Sequence, residues 1–424
     1  MNVPRQHKVV ISLCSLIIVA VIFQNCSATH LSVGRSISGL SDTSSSTPTV
    51  GGPGLIVRNP PDPTDPNTNP KLLAIPPNTA LDLGPYTCNQ PADGGCSPGT
   101  DYSRITYDSV KHQILFFGGG HGLALHTDVQ VFDFGKLKWS AQTPSTLCSE
   151  MTATNINPDN ASWISSGQPW ARHTWDMGAM AYVNGVRKYL ILTSGGVGGT
   201  AAESCIQTSE NVRGAVQYPP GNAKSKINIY DSATGTWTFG KTPPDTLWYY
   251  ASSAETDPVT NKIIVINGEG GSVYDPNTDN VIGHFPTNGA LNGYSNNLIY
   301  FPPTQKMYYV MRGTTSISEL TLDRNDWSKT NPVSVNTSGP PTEESGWAYD
   351  SVSQVIGGGV TDGKIHFYDP ATNTWTTNTM LVQSDFGMTT VGSIPSSSHA
   401  LDFDSKDGVY IFIANGHTWA YRYR

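Results

Sequence analysis

Three stretches repeat one pattern: VFDFGKLKW (Val131–Trp139), IYDSATGTW (Ile229–Trp237) and FYDPATNTW (Phe367–Trp375). Each runs aromatic residue, aspartate, turn, then a tryptophan that opens a new alternating segment. SVYDPNTDNV keeps the Tyr274–Asp275 pair and puts Val281 where the tryptophan would stand, and LTLDRNDW (Leu320–Trp327) is a shortened version. The aspartates Asp133, Asp231, Asp275, Asp323 and Asp369 recur about every 45 residues, with one interval about doubled, which is the period of a four-stranded repeat unit. Upstream of each hairpin lies another strand pair. YDSVKHQILFFGGG (Tyr107–Gly120) and YDSVSQVIGGG (Tyr349–Gly359) match closely, and TDPVTNKIIVINGEGG and FPPTQKMYYVMRGT fill the same slot. One unit therefore reads strand a, polar turn, apolar strand b ending in glycines, loop, strand c ending in aromatic-Asp, turn, strand d. Aspartate at the turn accepts hydrogen bonds from the backbone beyond it.

Six units start near Asp101, Arg172, Leu247, Asn292, Glu344 and Ser398. The last reaches the C-terminus after three strands, and Pro77–Tyr86 can supply its fourth, which joins the chain ends and removes an open sheet edge. The glycine pair after strand b with the Tyr-Asp…Trp hairpin resembles the kelch repeat. That resemblance implies an all-β, six-bladed kelch-type β-propeller over residues 75–424, related to the central domain of galactose oxidase-like proteins. It also implies face-to-face packing of Trp and Tyr between adjacent sheets. No long amphipathic helical period occurs after residue 30, and only 14% of residues are charged.

The N-terminus reads as a targeting segment, residues 1–26. Arg5, His7 and Lys8 form a basic region and Val9–Phe23 an apolar run, short for a membrane span. Cys26 follows directly, which resembles the bacterial lipoprotein lipobox, although Phe23, Gln24 and Asn25 depart from its small residues, so ordinary cleavage after Ala28 is the alternative. Residues 27–74 are rich in Ser, Thr, Pro and Gly and read as a flexible tether. Export to an oxidising compartment makes Cys88, Cys96, Cys148 and Cys205 candidates for two disulfides. Three pairings are open, and the loop positions favour Cys88–Cys96 with Cys148–Cys205. No metal-ligand spacing of cysteines is present, and no cofactor or metal is expected.

In such a blade the d–a and b–c loops emerge on one face, and all long insertions fall there: 87–100, 143–171 and 197–224. A scaffold decorated on one face binds on that face. The binding candidates are His121, His126, Trp175, Asp176, Trp248, Tyr249, Tyr294, Arg312, Trp347 and His399. Trp175, Trp347 and Tyr249 have a competing reading as packing between blades. A net charge of −8 and the absence of a basic cluster exclude a nucleic-acid footprint.

The leading expectation is an exported, membrane-tethered, monomeric recognition module for a glycan or protein, touching the membrane only through its lipid anchor. GGGHG at Gly118–Gly122 with ARHTWD at Ala171–Asp176 is similar to exported bacterial kelch proteins. The alternative is a periplasmic sugar-active enzyme resembling the six-bladed sialic-acid mutarotases. There Glu344, Glu269 and His173 would move protons and Arg172 would clamp a carboxylate. A copper radical oxidase is a weaker resemblance, because the chain has no Tyr-His dipeptide. A catalytic site predicts a deep axial pocket, and a recognition module a filled axis.

Overall fold

A computed structural model of the chain describes residues 61–86, 103–119, 127–152, 154–193, 225–244, 252–287, 296–311, 316–340, 345–384 and 400–424. Strand β1 (Thr79–Pro85) comes first. Blade 1 is β2 (Ile105–Asp108), β3 (Gln113–Phe116), β4 (Gln130–Asp133) and β5 (Lys138–Ala141). Blade 2 is β6 (Gly178–Val183), β7 (Val186–Ile191), β8 (Asn228–Asp231) and β9 (Thr236–Phe239). Blade 3 is β10 (Ser253–Asp257), β11 (Lys262–Ile266), β12 (Gly271–Asp275) and β13 (Asn280–Phe285). Blade 4 is β14 (Asn297–Phe301), β15 (Lys306–Val310), β16 (Ile317–Thr321) and β17 (Asn331–Asn336). Blade 5 is β18 (Trp347–Asp350), β19 (Val355–Thr361), β20 (Lys364–Asp369) and β21 (Thr374–Thr379). After β22 (Leu381–Ser384), blade 6 takes β23 (Leu401–Asp404), β24 (Val409–Ala414) and β25 (His417–Arg422).

Five sheets are four-stranded antiparallel meanders. The first strands pack in a closed ring, β2 to β6 to β10 to β14 to β18 to β23 and back to β2. The protein is a six-bladed β-propeller. Closure follows the expected route: β1 pairs antiparallel with β25, Ala80 opposite Tyr421. One element was not expected. Strand β22 adds parallel to the outer side of β1, Thr79 opposite Leu381, so the sixth sheet has five strands in the order β22-β1-β25-β24-β23.

The repeated hairpin explains itself locally. Asp231, Asp275 and Asp369 each accept a backbone N–H two residues on, from Ala233 (2.8 Å), Asn277 (3.0 Å) and Ala371 (2.9 Å). The register then sets the aromatic opposite the tryptophan: Phe132–Trp139, Tyr230–Trp237 and Tyr368–Trp375. Their rings lie 4.9–5.4 Å apart, tilted by 48–52°. Across the seam Trp237 meets Phe117 of blade 1 edge-on at 5.1 Å. The seams differ: Trp237 and Phe117 meet edge to face, whereas Phe367 of blade 5 stacks nearly parallel on Tyr423 at the end of blade 6, at 3.7 Å and 16°.

Docking of the leader begins ahead of β1. The helical turn Pro70–Leu73 is capped by Asn69, and Leu72 and Ile75 are buried in a core shared by blades 1 and 6. Arg422 holds this turn by donating to the carbonyls of Leu72 (2.9 Å) and Ile75 (2.8 Å).

Candidate functional site

The first strands surround the axis, and their leading ends are tied blade to blade. Arg104 N donates to the carbonyl of Trp175 (2.9 Å), and Ala254 N to that of Asp176 (2.6 Å). Ser253 Oγ donates to the Asn296 carbonyl (2.9 Å), and the Asn297 amide donates to the Ser345 carbonyl (3.0 Å). Short parallel bridges, Ser103 with Trp175 and Asp176 with Ser253, complete the stitch across blades 1 to 3.

Four charged residues converge on the axis, Glu255 and Asp402 from the first strands of blades 3 and 6, and Arg104 and Asp176 from the segments that enter blades 1 and 2. Arg104 Nη1 lies 2.9 Å from Asp176 Oδ1, and Nη2 lies 3.3 Å from Glu255 Oε2. The second oxygen of Asp176 accepts the Leu298 N–H of blade 4 (2.8 Å), and Asp402 accepts the Tyr107 N–H of blade 1 (2.7 Å). Burial opposes the charge of Arg104, but Asp176, Glu255 and Asp402 outweigh it and hold the guanidinium above the ordinary arginine range. Burial pushes Asp176 up to about 7 against the pull of Arg104. It raises Glu255 and Asp402 for the same reason. Arg104 and Asp176 are closed off, whereas Glu255 keeps 23% of its side chain exposed and Asp402 is half-buried. Perturbed carboxylates facing one cation mark a place of functional interest.

Of the residues singled out from sequence, Asp176 belongs to this axial group. Trp175 is buried in the core between blades 2 and 3, with φ +51°, and His173 packs edge-on against it at 5.6 Å. Trp347 is buried beside Trp375 at 5.8 Å. The packing reading therefore describes both tryptophans. Arg172 has no exposed surface. Its Nη1 donates to the Trp170 carbonyl (3.2 Å) and Nη2 to that of Thr193 (3.0 Å), and the Asn228 amide oxygen, turned toward it, accepts from both at 3.0 Å. Burial lowers its pKa to about 9. Glu269 is exposed on the tight turn after β11. Among the described residues, then, the expected acid, base and arginine do not share one open pocket. Glu344, His121, His126, Trp248, Tyr249, Tyr294, Arg312 and His399 lie outside the described residues. So do Cys26, Cys88, Cys96 and Cys205, while Cys148 is placed by its backbone at the start of the turn Cys148–Glu150.

The glycine triplet has a structural reason. Gly118 has φ +79°, and a Cβ there would lie 2.2 Å from the Arg172 carbonyl oxygen. Only glycine lets the end of β3 come this close to the chain entering blade 2. The insertion 143–171 is a built piece on that same face. Ile156 bridges Trp163, Ser162 bridges Pro169, and Trp163 and Trp170 are fully buried. Gln168 pins it: Oε1 accepts from Thr127 (2.6 Å), and Nε2 donates to Thr143 (3.0 Å) and to the Pro144 carbonyl (2.9 Å).

Sequence reasoning missed Arg104, Glu255 and Asp402. A signal was there. Among the four first strands that end in an aspartate, two carry a further charge, Glu255 and Asp402, each two residues ahead of that aspartate (Asp257 and Asp404).

No protein-family model matches the chain, and no curated protein does. Solved structures do share its course. An auxiliary nutrient binding protein from Bacteroides thetaiotaomicron is 12% identical, with 78% of this chain and 70% of that one covered, at a TM-score of 0.46. One from Bacteroides ovatus is also 12% identical, covering 77% and 70%, at 0.44. A putative gluconolactonase is 10% identical, covering 83% and 94%, at 0.46. At these values the likenesses carry no argument about activity.

Proposed function

We propose that the protein is an exported, membrane-tethered propeller that binds a ligand without transforming it, through the face that carries the insertions. The kelch resemblance, the lipid anchor at Cys26 and the pairs Cys88–Cys96 and Cys148–Cys205 belong to this reading. The observation that carries it is the mutual pairing of the axial charges. Arg104, Asp176, Glu255 and Asp402 already serve one another, and inserting a ligand among them would strip paired charges of their partners. The insertion 143–171, pinned by Gln168 and anchored by two buried tryptophans, is rigid enough to present a recognition surface beside them. A glycan or a protein segment is the ligand class, since the candidate rim (Trp248, Tyr249, Tyr294, Arg312, His399) mixes flat rings with polar groups.

The axis also favours a second reading, a sugar-active enzyme. A carboxyl poised at about 7 beside two partly exposed carboxylates is suited to proton transfer. The test is to offer the processed chain a panel of sialic acids and bacterial glycans, measuring both binding and turnover, alongside Glu255→Gln and Glu344→Gln. Binding with no turnover supports the recognition module. Turnover abolished by either substitution overturns it in favour of the enzyme.

A further inference from the structure

At the far ends of the first strands, away from the insertions, blades 1, 3, 5 and 6 turn through a short loop opened by an aspartate, Asp108, Asp257, Asp350 and Asp404. Three of these aspartates take a cationic partner from the next blade. Asp257 of blade 3 receives Arg324 of blade 4 in a two-pronged contact, Nε at 2.8 Å and Nη2 at 2.9 Å. Asp108 of blade 1 receives Arg187 of blade 2 at 3.1 Å. At the closing seam the rule changes. Asp404 of blade 6 receives His112 of blade 1, and a second carboxylate, Asp407, joins them.

The loop alignment makes the substitution specific. His112 occupies the left-handed position (φ +50°) that Asn261, Gln305 and Gln354 fill in blades 3, 4 and 5. Asp407 stands where the other loops carry Lys111, Thr260 and Ser353. Two loops of neighbouring blades have thus each acquired a metal-ligating side chain at the point where they meet.

We infer that this seam binds a divalent first-row metal ion through His112 Nε2 and the carboxylates of Asp404 and Asp407. His112 Nε2 lies 3.1 Å from both Asp404 oxygens and 3.5 Å from Asp407 Oδ2. One imidazole nitrogen carries one proton and cannot serve three carboxylate oxygens. Asp407 Oδ2 is completely buried and has no hydrogen-bond partner. Arg422, the nearest guanidinium, donates to main-chain carbonyls of Leu72, Ile75, Asp407 and Gly408 instead.

The distances suit a metal of this kind. Ligands about 2.0–2.1 Å from a tetrahedral zinc stand about 3.3 Å from one another, and the observed separations bracket that edge. Calcium asks for six to eight oxygens at longer range, which three buried side chains do not offer. Each ligand is also held from behind, as metal ligands require. The His112 ring stacks on Phe134 at 4.6 Å, nearly parallel. The Asn69 N–H fixes Asp407 Oδ1 at 2.7 Å, and the Lys406 N–H fixes Asp404 Oδ1 at 2.9 Å. The ion would tie blade 6, blade 1 and the leader at the junction where the two ends of the propeller meet.

The experiment strips the full processed chain with a chelator and titrates it with Zn²⁺ alone, then Ca²⁺ alone, by calorimetry, elemental analysis and thermal melting. One Zn²⁺ per chain, bound at least about 100-fold more tightly than Ca²⁺, with a melting midpoint that rises on loading, is the expected result. His112→Gln and Asp407→Asn should each weaken it about 100-fold or more. Should either variant fail to fold, the visible spectrum of the unaltered chain loaded with Co²⁺ decides, and a four-coordinate spectrum is expected. No bound Zn²⁺, binding untouched by both substitutions, or a six-coordinate Co²⁺ spectrum would each overturn the proposal and leave a histidine–aspartate ion pair.

Discussion

The seam between blades 3 and 4 and the seam between blades 6 and 1 solve the same problem with different means. At the first, consecutive blades follow one another along the chain, and one arginine on one aspartate completes the junction. At the second the chain ends must find each other, and several devices converge. Strand β1 is clasped between β25 and β22, Arg422 grips the leader, and His112 meets two carboxylates where Asn69 also reaches in. The difference teaches that ring closure is the costly step of this architecture. Loop-closure entropy grows with the residues enclosed, and here it encloses the whole propeller.

The comparison breaks most visibly by removing the clasp. A chain lacking residues 61–86 loses β1 and the docked turn, leaving β25 and β22 without their shared partner. Its expected behaviour is loss of cooperative melting and a shift to oligomers, read by calorimetry and size-exclusion chromatography. A monomer that melts cooperatively would show that closure does not depend on the clasp.

The axis supplies the next largest effect. Arg104→Met leaves three carboxylates facing one another, at a cost of about 3–5 kcal/mol in chemical denaturation. At the ordinary seam, Arg324→Met should cost less, about 1–3 kcal/mol, because Asp257 keeps the Thr260 hydroxyl (2.7 Å) as a donor. Equal costs at the two places would deny the axis its special standing.

The smallest effect concerns pH and contrasts two imidazoles. At the closing seam burial works against the charge of His112, but the facing carboxylates of Asp404 and Asp407 outweigh it and raise His112 to about 9. In blade 5, burial, with the Lys364 charge adding to it, lowers His366 to about 4, and only the Thr377 hydroxyl contacts its Nδ1, at 2.8 Å. Between pH 4 and 6.5 the unfolded chain binds more protons at this site than the folded one, so stability climbs with pH through that window and then levels. His366→Gln should flatten that climb, as measured by urea midpoints across the range.

What the sequence made legible was whatever is local. The Asp–turn–Trp hairpin is written in adjacent residues because its hydrogen bonds are, and six four-stranded units with a borrowed strand at Pro77–Tyr86 follow from the repeat period around it. Strand β22 escaped notice because LVQS is too short to carry a pattern, and its partner lies about 300 residues away, where tertiary context alone decides. The axial group was hidden for a related reason. Arg104, Asp176, Glu255 and Asp402 each read as an isolated charge until the blades are folded round the axis. Trp175 and Trp347 were ambiguous between rim and core, since alternation along a strand gives a face only once the register is known. His112 carries no signal of its own in the sequence, and only the comparison with Asn261, Gln305 and Gln354 marks it.

The central claim is that the ligand sits on the decorated face and leaves the axial charges undisturbed. The most direct measurement is the affinity of a ligand found in the glycan panel for three proteins: the unaltered chain, the paired rim variant Trp248→Ala/Tyr249→Ala, and the axial variant Glu255→Gln. Affinity lost in the rim variant and kept in the axial one is the predicted result. Affinity kept at the rim and lost at Glu255 would place the ligand on the axis and contradict the account.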